Sequence, residues 1–229
     1  GDDMQMPPVF TGEVAGEPLA VSLFGQLRRR RPDAIDVLRT TYRMNAELCA
    51  AVGGTFYPAD GGQGSILAAD ASAAGRRLTL VPRAGALPWL NAALDPERSL
   101  VWIDTDGTMA AQHNGAEAAC AAEILATCLE AGLPHAAMAA VTPYRRQAVL
   151  ARQLLQARVG TAEPLPIVDT VERVQGLTVD VVVVSMCTSD PEYLRANATF
   201  LLSPNRLNVA LSRARTKAIL FAPAALLDV

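Results

Sequence analysis

Five short polar segments hold most of the residues in this chain that are suited to act on a phosphate: GDDMQMPP at 1–8, TTYRMN at 40–45, VTPYRRQ at 141–147, DTVERVQG at 169–176 and NRLNVALSRAR at 205–215. Arginine dominates their charge. Of the 20 basic residues only Lys217 is a lysine. The planar guanidinium fork matches phosphate oxygens, although genome composition produces the same bias. Arg43 comes at a helix start, where the helix dipole disfavours a cation; an anionic ligand offsets that, and a structural salt bridge is the alternative. Arg206 and Arg213 are seven residues apart on a helical pattern, so both point to the same side. Thr142 ends a strand just before a helix N-terminus, a place that suits a backbone phosphate, with its hydroxyl and the Tyr144 amide as donors. Arg145 and Arg146 either add to that site or form an exposed basic first turn. The Gln5 amide can donate to a phosphoryl oxygen or orient a water. Gly176 reads as a turn glycine, with or without a ligand role.

Other chemistries lack their residues. There is no GxxxxGK[ST] loop: Lys217 follows Thr216 instead of a glycine run. HExxH, GxSxG and GxGxxG are absent, and the cluster Gly61-Gly62-Gln63-Gly64 has no strand before it. His113 and His135 are isolated in loops and make poor general bases. No CxxC pair exists; Cys120 and Cys128 share one helix, about 12 Å apart, too far for a disulfide. All four cysteines read as buried thiols of a reducing compartment, and no metal site is expected. A net charge of −3 gives no global attraction to nucleic acid or to an anionic membrane. The run Arg28–Arg31 ending at Pro32 reads as a solvated helix end.

The chain has the composition of a globular domain, 51% hydrophobic and 19% charged, with enough apolar material for a buried core. No apolar run is long enough for a membrane span, and GDDMQMPPVF is no signal peptide, so a cytoplasmic location is expected. Without Met at position 1 the chain reads as a piece of a longer protein or a processed product. Periodicity predicts a short helix over 19–27, an extended stretch over 36–40 and a helix after TTYRMN. Residues 58–77 and 83–99 read as loops around a strand at 78–82. Strands are predicted at 100–104, 138–141, 166–170, 179–186 and 217–222. Helices are predicted at 115–131, capped by Asn114 and stopped by Gly132, and at 144–157 and 205–214. Strands alternating with helices, with apolar runs, indicate a parallel sheet covered on both faces. Ligands of such sheets sit at the carboxyl ends of the strands, here Thr142-Pro143-Tyr144, Thr170 and the loop after Met186.

In their order and spacing the five segments resemble motifs III to VI of the superfamily 1 helicases, the closest likeness being to the nonsense-decay and Okazaki-processing group. The resemblance runs from Gly1 to about Phe221. It implies an α/β RecA-like fold, a P-loop NTPase fold lacking its own P-loop. Residues 1–36 are then a remnant of the first motor domain and linker, and residues 37–229 the second motor domain. It implies that Arg213 is the arginine finger, that Arg43 reaches the ATP phosphates and that Gln5 senses the γ-phosphate. Tyr42, Gln175, Gly176 and Arg206 are placed near the nucleotide, and Asn208 holds the loop or assists there. Thr142, Tyr144, Arg146 and Thr170 are placed on the single strand. Thr41 stands where the family has Gln. Thr178 stands where it has a Glu on the ribose, and offers a weaker hydroxyl bond. ATP and Mg²⁺ are implied, the ion held mainly by the first motor domain. The implied partners are that domain and single-stranded nucleic acid, by resemblance DNA, with no membrane. The full-length protein is expected to be an ATP-dependent helicase, and this fragment alone to be inactive for want of the P-loop lysine. The alternative is a degenerate, non-catalytic nucleic-acid-binding module of the same fold.

Overall fold

The run Val179–Ser185 is apolar at nearly every position because it lies in the middle of a sheet, with cover on both faces. The computed structural model describes residues 2–6, 23–59, 62, 64–80, 87–105, 109–160, 164–224 and 226. Five strands make the sheet: β3 (Leu100–Asp104), β4 (Met138–Thr142), β5 (Ile167–Thr170), β6 (Val179–Ser185) and β7 (Ala214–Ala222), in the order β3-β7-β6-β4-β5. Every pairing is parallel. β1 (Thr40–Thr41) and β2 (Ala68–Ala69) form a separate two-stranded parallel pair.

Alternation along β6 sorts its side chains into two cores. Val182 and Val184 pack with Leu48, Val52 and Phe56 of α2 (Ala46–Phe56), Leu194 and Leu201 of α7 (Pro191–Leu201), and Val209 and Ala210 of α8 (Pro204–Leu211). Val181 and Val183 pack with Ala121, Ala122 and Leu125 of α5 (Gly115–Glu130) and Ala148, Ala151 and Leu155 of α6 (Arg145–Val159). The shorter α1 (Leu23–Arg30), α3 (Ala71–Ala74) and α4 (Pro88–Ala93) are the other α-helices among the described residues, with Leu90 and Ala93 of α4 in the second core. The result is the α/β architecture expected of a RecA-like domain, a parallel sheet between two helical layers. The register slips once, between Val179↔Ala214 and Val181↔Lys217, so β7 carries an extra residue just after Arg213. Such a bulge re-aims the side chains around it.

The α5 signals act as the sequence predicts. Asn114 Oδ1 accepts from the amides of Ala116 and Glu117, and Gly132 adopts φ +88° beyond the helix. Other expectations are corrected. The helix at 205–214 ends at Leu211, and β7 begins at Ala214 instead of Lys217, because the bulge lets Thr216 donate to the Asp180 carbonyl. Residues 78–80 form no strand, and 81 and 82 lie outside the described residues. The predicted loops hold β2, α3 and α4. The predicted first helix begins at Leu23, and 19–22 lie outside the described residues. No helix among the described residues is long and apolar enough to cross a membrane.

Lys217 is fully buried on β7, its ammonium donating to the carbonyls of Asp95 and Arg98 and pinning the turn between α4 and β3. Burial pushes its pKa down from the ordinary 10.5 to about 8, against the pull of Asp95 and Glu47. Between those values the unfolded chain holds a proton that the native chain has lost. The Lys217 contribution to stability therefore grows as pH rises through that window and is lost as pH falls through 8. Against Lys217→Met, the wild-type chain should gain ~3 kcal/mol of unfolding free energy across the window in urea titrations. A pH-independent difference between the two proteins would contradict this.

Candidate functional site

The two arginines singled out by the sequence converge at the amino edge of the sheet. Arg213 lies past the end of α8, in the turn before β7. It is 1% exposed. Its Nε donates to the Val209 carbonyl at 2.8 Å, Nη1 to the Leu177 carbonyl at 3.3 Å and Nη2 to the Ser212 hydroxyl at 2.9 Å. Arg43 reaches the same turn from the other side: Nη1 donates to the Ser212 carbonyl at 3.0 Å and Nε to Thr178 Oγ1 at 2.9 Å. One serine thus carries both guanidiniums. Neither has an ion-pair partner among the described residues. Burial, and then the nearby Arg43 charge, pulls Arg213 down to about 10, while Tyr57 and Asp2 oppose the shift. Burial and then Arg215 lower Arg43 as well. A buried and a half-buried cation, without an ion-paired carboxylate among the described residues, favour an anion from outside.

The local sequence explains how Arg43 is held. Asn45 is completely buried and caps α2, with Oδ1 accepting from Leu48 N at 3.0 Å. Its Nδ2 donates to Ser99 Oγ at 2.8 Å and its backbone amide to the Arg215 carbonyl at 3.0 Å. Arg76 Nη1 donates to the Tyr42 and Arg43 carbonyls, and Thr41 Oγ1 accepts from the Arg43 amide. Thr41, in the place of the family glutamine, therefore shapes the turn that presents Arg43.

Gln175 and Gly176 stand immediately before Leu177 and Thr178, the residues that hold the arginines, and Gly176 adopts φ +89° in an exposed turn. Tyr42, 67% exposed, leaves its ring open beside Arg43. Gln5 reaches Tyr57 with its side chain, and its carbonyl accepts from Asn205 Nδ2 at 2.6 Å. Two expectations change here. Arg206 does not share a side with Arg213, because the helix stops at Leu211 and the seven-residue spacing no longer sets a common face. Its guanidinium stacks 4.1 Å from the Phe200 ring and bonds Glu172 Oε1 at 3.0 Å. Thr178 uses its hydroxyl to orient Arg43.

At the opposite, carboxyl edge, Thr142 and Thr170 are register partners on β4 and β5. Thr142 is 3% exposed and turns its hydroxyl toward Cys187 Sγ at 3.8 Å, so that hydroxyl faces inward, not toward a strand. Thr170 is half-buried, and its carbonyl accepts from Arg173 and Val174 as the chain turns. The Tyr144 ring packs on Phe200 and Tyr193, and its hydroxyl is buried without a partner. Tyr144 provides no side-chain cap for α6, so first-turn amides stay open. Arg145 and Arg146 are exposed and unpaired among the described residues. Arg146 lines a cavity of about 680 Å³ with Met109, His113, Asn114, Gly115 and Tyr193.

Behind the cavity lies a buried polar seam around Glu117, which belongs to no motif. Glu117, 1% exposed, accepts from Ser185 Oγ at 2.6 Å, the Cys187 amide at 2.8 Å and Thr105 Oγ1 at 2.8 Å. Gln147 Nε2 donates to Ser185 Oγ and the Asn114 carbonyl, and its Oε1 accepts from the Asn114 amide. The seam ties α5, α6 and β6 together and holds Cys187 at φ +54°. Burial raises the Glu117 pKa against these donors. In sequence Glu117 looks like any first-turn helix glutamate. Among the described residues no group of three or more His, Cys, Asp and Glu is arranged to hold a metal.

A sequence profile described as an AAA domain matches residues 19–224. The chain is 33% identical to the DNA replication ATP-dependent helicase/nuclease JHS1 of Arabidopsis thaliana, over 96% of this chain and 16% of that protein. It is 27% identical to the DNA replication ATP-dependent helicase/nuclease dna2 of Schizosaccharomyces pombe, over the same shares of each. It therefore spans about a sixth of the length of these relatives. A solved structure titled as the PRRSV helicase aligns over 81% of this chain and 23% of its own, at 16% identity and a TM-score of 0.35. The sheet order, not that weak likeness, carries the fold.

The Glu117 seam has a measurable consequence. Glu117→Gln turns an amide NH₂ against groups that already donate, so the variant should lose about 2–4 kcal/mol of unfolding free energy in urea. Wild-type stability in the variant would show that these bonds do not bear on the cavity wall.

Proposed function

The chain belongs to the AAA domain family as a C-terminal motor domain of the superfamily 1 helicases, and from that premise we propose that it is the second half of an ATP-dependent helicase that moves on single-stranded DNA. One observation carries the reading: Arg43 and Arg213 meet on Ser212 with no ion-paired carboxylate among the described residues. A polyphosphate supplies the charge that this pair lacks. Residues 1–36 then belong to the first motor domain and its linker, and residues 37–229 to the second. The first domain contributes the P-loop and holds Mg²⁺.

Arg213 is the arginine finger, stabilising charge that builds on the transferring γ-phosphoryl group. Arg43 binds the phosphate chain beside it. Gln5 lies on the same side and orients the attacking water. Tyr42 offers an open ring to the base, and the Gln175-Gly176 turn closes over the nucleotide. Arg206, held by Glu172 and Phe200, supports the turn without touching phosphate. At the carboxyl edge, the open amides after Tyr144, the Arg146 guanidinium and the Thr170 backbone grip the strand. These contacts are blind to base identity, as a translocase that steps past any sequence requires. Thr142 acts there as a buried strut.

Three outcomes test this. The isolated chain should show no ATP turnover, and turnover lost in Arg213→Ala would contradict the missing-domain reading. In the longer protein Arg213→Ala should slow DNA-stimulated ATP hydrolysis by ~10³–10⁵ while leaving strand affinity intact. Lost binding with normal hydrolysis would move the site elsewhere. Arg146→Ala should weaken single-strand binding across sequences and reduce the slope of log affinity against log salt by roughly one unit. An unchanged slope would remove Arg146 from the strand.

A further inference from the structure

Tyr57 lies outside every motif and yet joins two of them. It caps α2, its amide donating to the Gly53 carbonyl at 2.8 Å, and is half-buried. Its hydroxyl donates to Asp2 Oδ2 at 2.6 Å and accepts from Asn208 Nδ2 at 2.8 Å. Asn208 is completely buried, and its second amide hydrogen goes to the Met4 carbonyl at 2.7 Å. Asn205, one turn earlier on α8, donates to the carbonyls of Asp3 and Gln5. The segment 2–5 is thus hung along α8 by side-chain amides, with Tyr57 as the bolt through the middle.

The far end of that helix holds the finger. Arg213 Nε rests on the carbonyl of Val209, the residue next to Asn208. The Gln5 side chain also reaches the Tyr57 ring's hydroxyl end. One hydroxyl therefore meets the first-domain segment on one side and the finger's helix on the other. Asn208 cannot make this link alone: its Oδ1 is buried without a partner, so its orientation is fixed only through the Tyr57 hydroxyl and the Met4 carbonyl.

We infer that Tyr57 is a positioning residue for ATP hydrolysis, transmitting the docked position of the Asp2–Gln5 segment through Asn208 to Arg213. The inference rests on Arg213 being the finger. It makes the approach of the guanidinium conditional on the first domain's segment being seated. Removal of one hydroxyl far from the reacting atoms then costs rate, because small misplacements of a catalytic group are expensive.

The test uses the longer protein and steady-state ATP hydrolysis with saturating single-stranded DNA. Tyr57→Phe keeps the ring and should lower kcat by about one to two orders of magnitude, with KM for ATP and strand affinity within about twofold. Asp2→Asn, at an exposed position, should reproduce the loss without a folding cost. On an Arg213→Lys background Tyr57→Phe should cost little more, since the two act as a unit. Wild-type kcat in both single variants overturns the inference. So does the same fold-loss on both backgrounds, or a loss that follows the melting temperature alone. Should Arg213→Ala itself hydrolyse ATP normally, the finger reading fails; should only Tyr57→Phe do so, the finger stands and Tyr57 is a structural cap.

Discussion

Two guanidiniums bonded to one serine, with no ion-paired carboxylate among the described residues, are the constraint around which this domain is arranged. Like charges in a buried turn repel and oppose folding, and burial together with the Arg43 charge pulls Arg213 down to about 10, against Tyr57 and Asp2. Each surrounding feature holds the pair in place regardless. α8 stops at Leu211, so Arg213 leaves the helix face and swings toward Leu177. The bulge at Val179 and Val181 sets the extra β7 residue beside it. Asn45, wholly buried, fixes the other arginine's turn to β7 and to Ser99. Such a cluster costs stability unless an opposite charge offsets it.

The candidate groups divide between the two ends of the sheet. The arginine pair lies at the amino edge, where β6 and β7 begin, while Arg146, Tyr144 and Thr170 lie at the carboxyl edge, where β4 and β5 end. β6, buried at every position but Asp180, joins the edges. The connection from Thr170 to Val179 joins them a second time. It starts at the register partner of Thr142 and ends at the carbonyl and hydroxyl that hold Arg213 and Arg43. A shift of that single turn is therefore felt at both edges of the sheet.

Features governed by neighbours in sequence were legible before any coordinates. The valine run, the Asn114 cap, the Gly132 stop and the order of strands and helices all follow from local rules, and together they give a parallel α/β sheet. The convergence of Arg43 with Arg213 was legible through the motifs, not through any periodicity. Features set across the fold were hidden. The Arg206 direction depended on where α8 ends, two residues short of Arg213. Thr142 read as a surface hydroxyl because nothing in its segment announces Cys187 packed against it. Thr178 read as a substitute ribose contact, whereas its partner, Arg43, lies 135 residues away. Glu117 and Tyr57 carried no motif, and Gln147, at the end of VTPYRRQ, gave no sign of its inward bonds, since each acts through bonds to distant segments.

The most direct test of the central claim compares ADP with ADP plus aluminium fluoride, a mimic of the transferring phosphoryl group, as ligands of the longer protein. If Arg43 and Arg213 face one polyphosphate, Arg213→Ala removes the extra affinity for the mimic by about 10³-fold or more while ADP affinity stays within several-fold. The same variant combined with Arg43→Ala then costs less than the product of the two single losses. Retained affinity for the mimic in Arg213→Ala, or strictly multiplicative losses, would mean that the two guanidiniums do not serve a common phosphate.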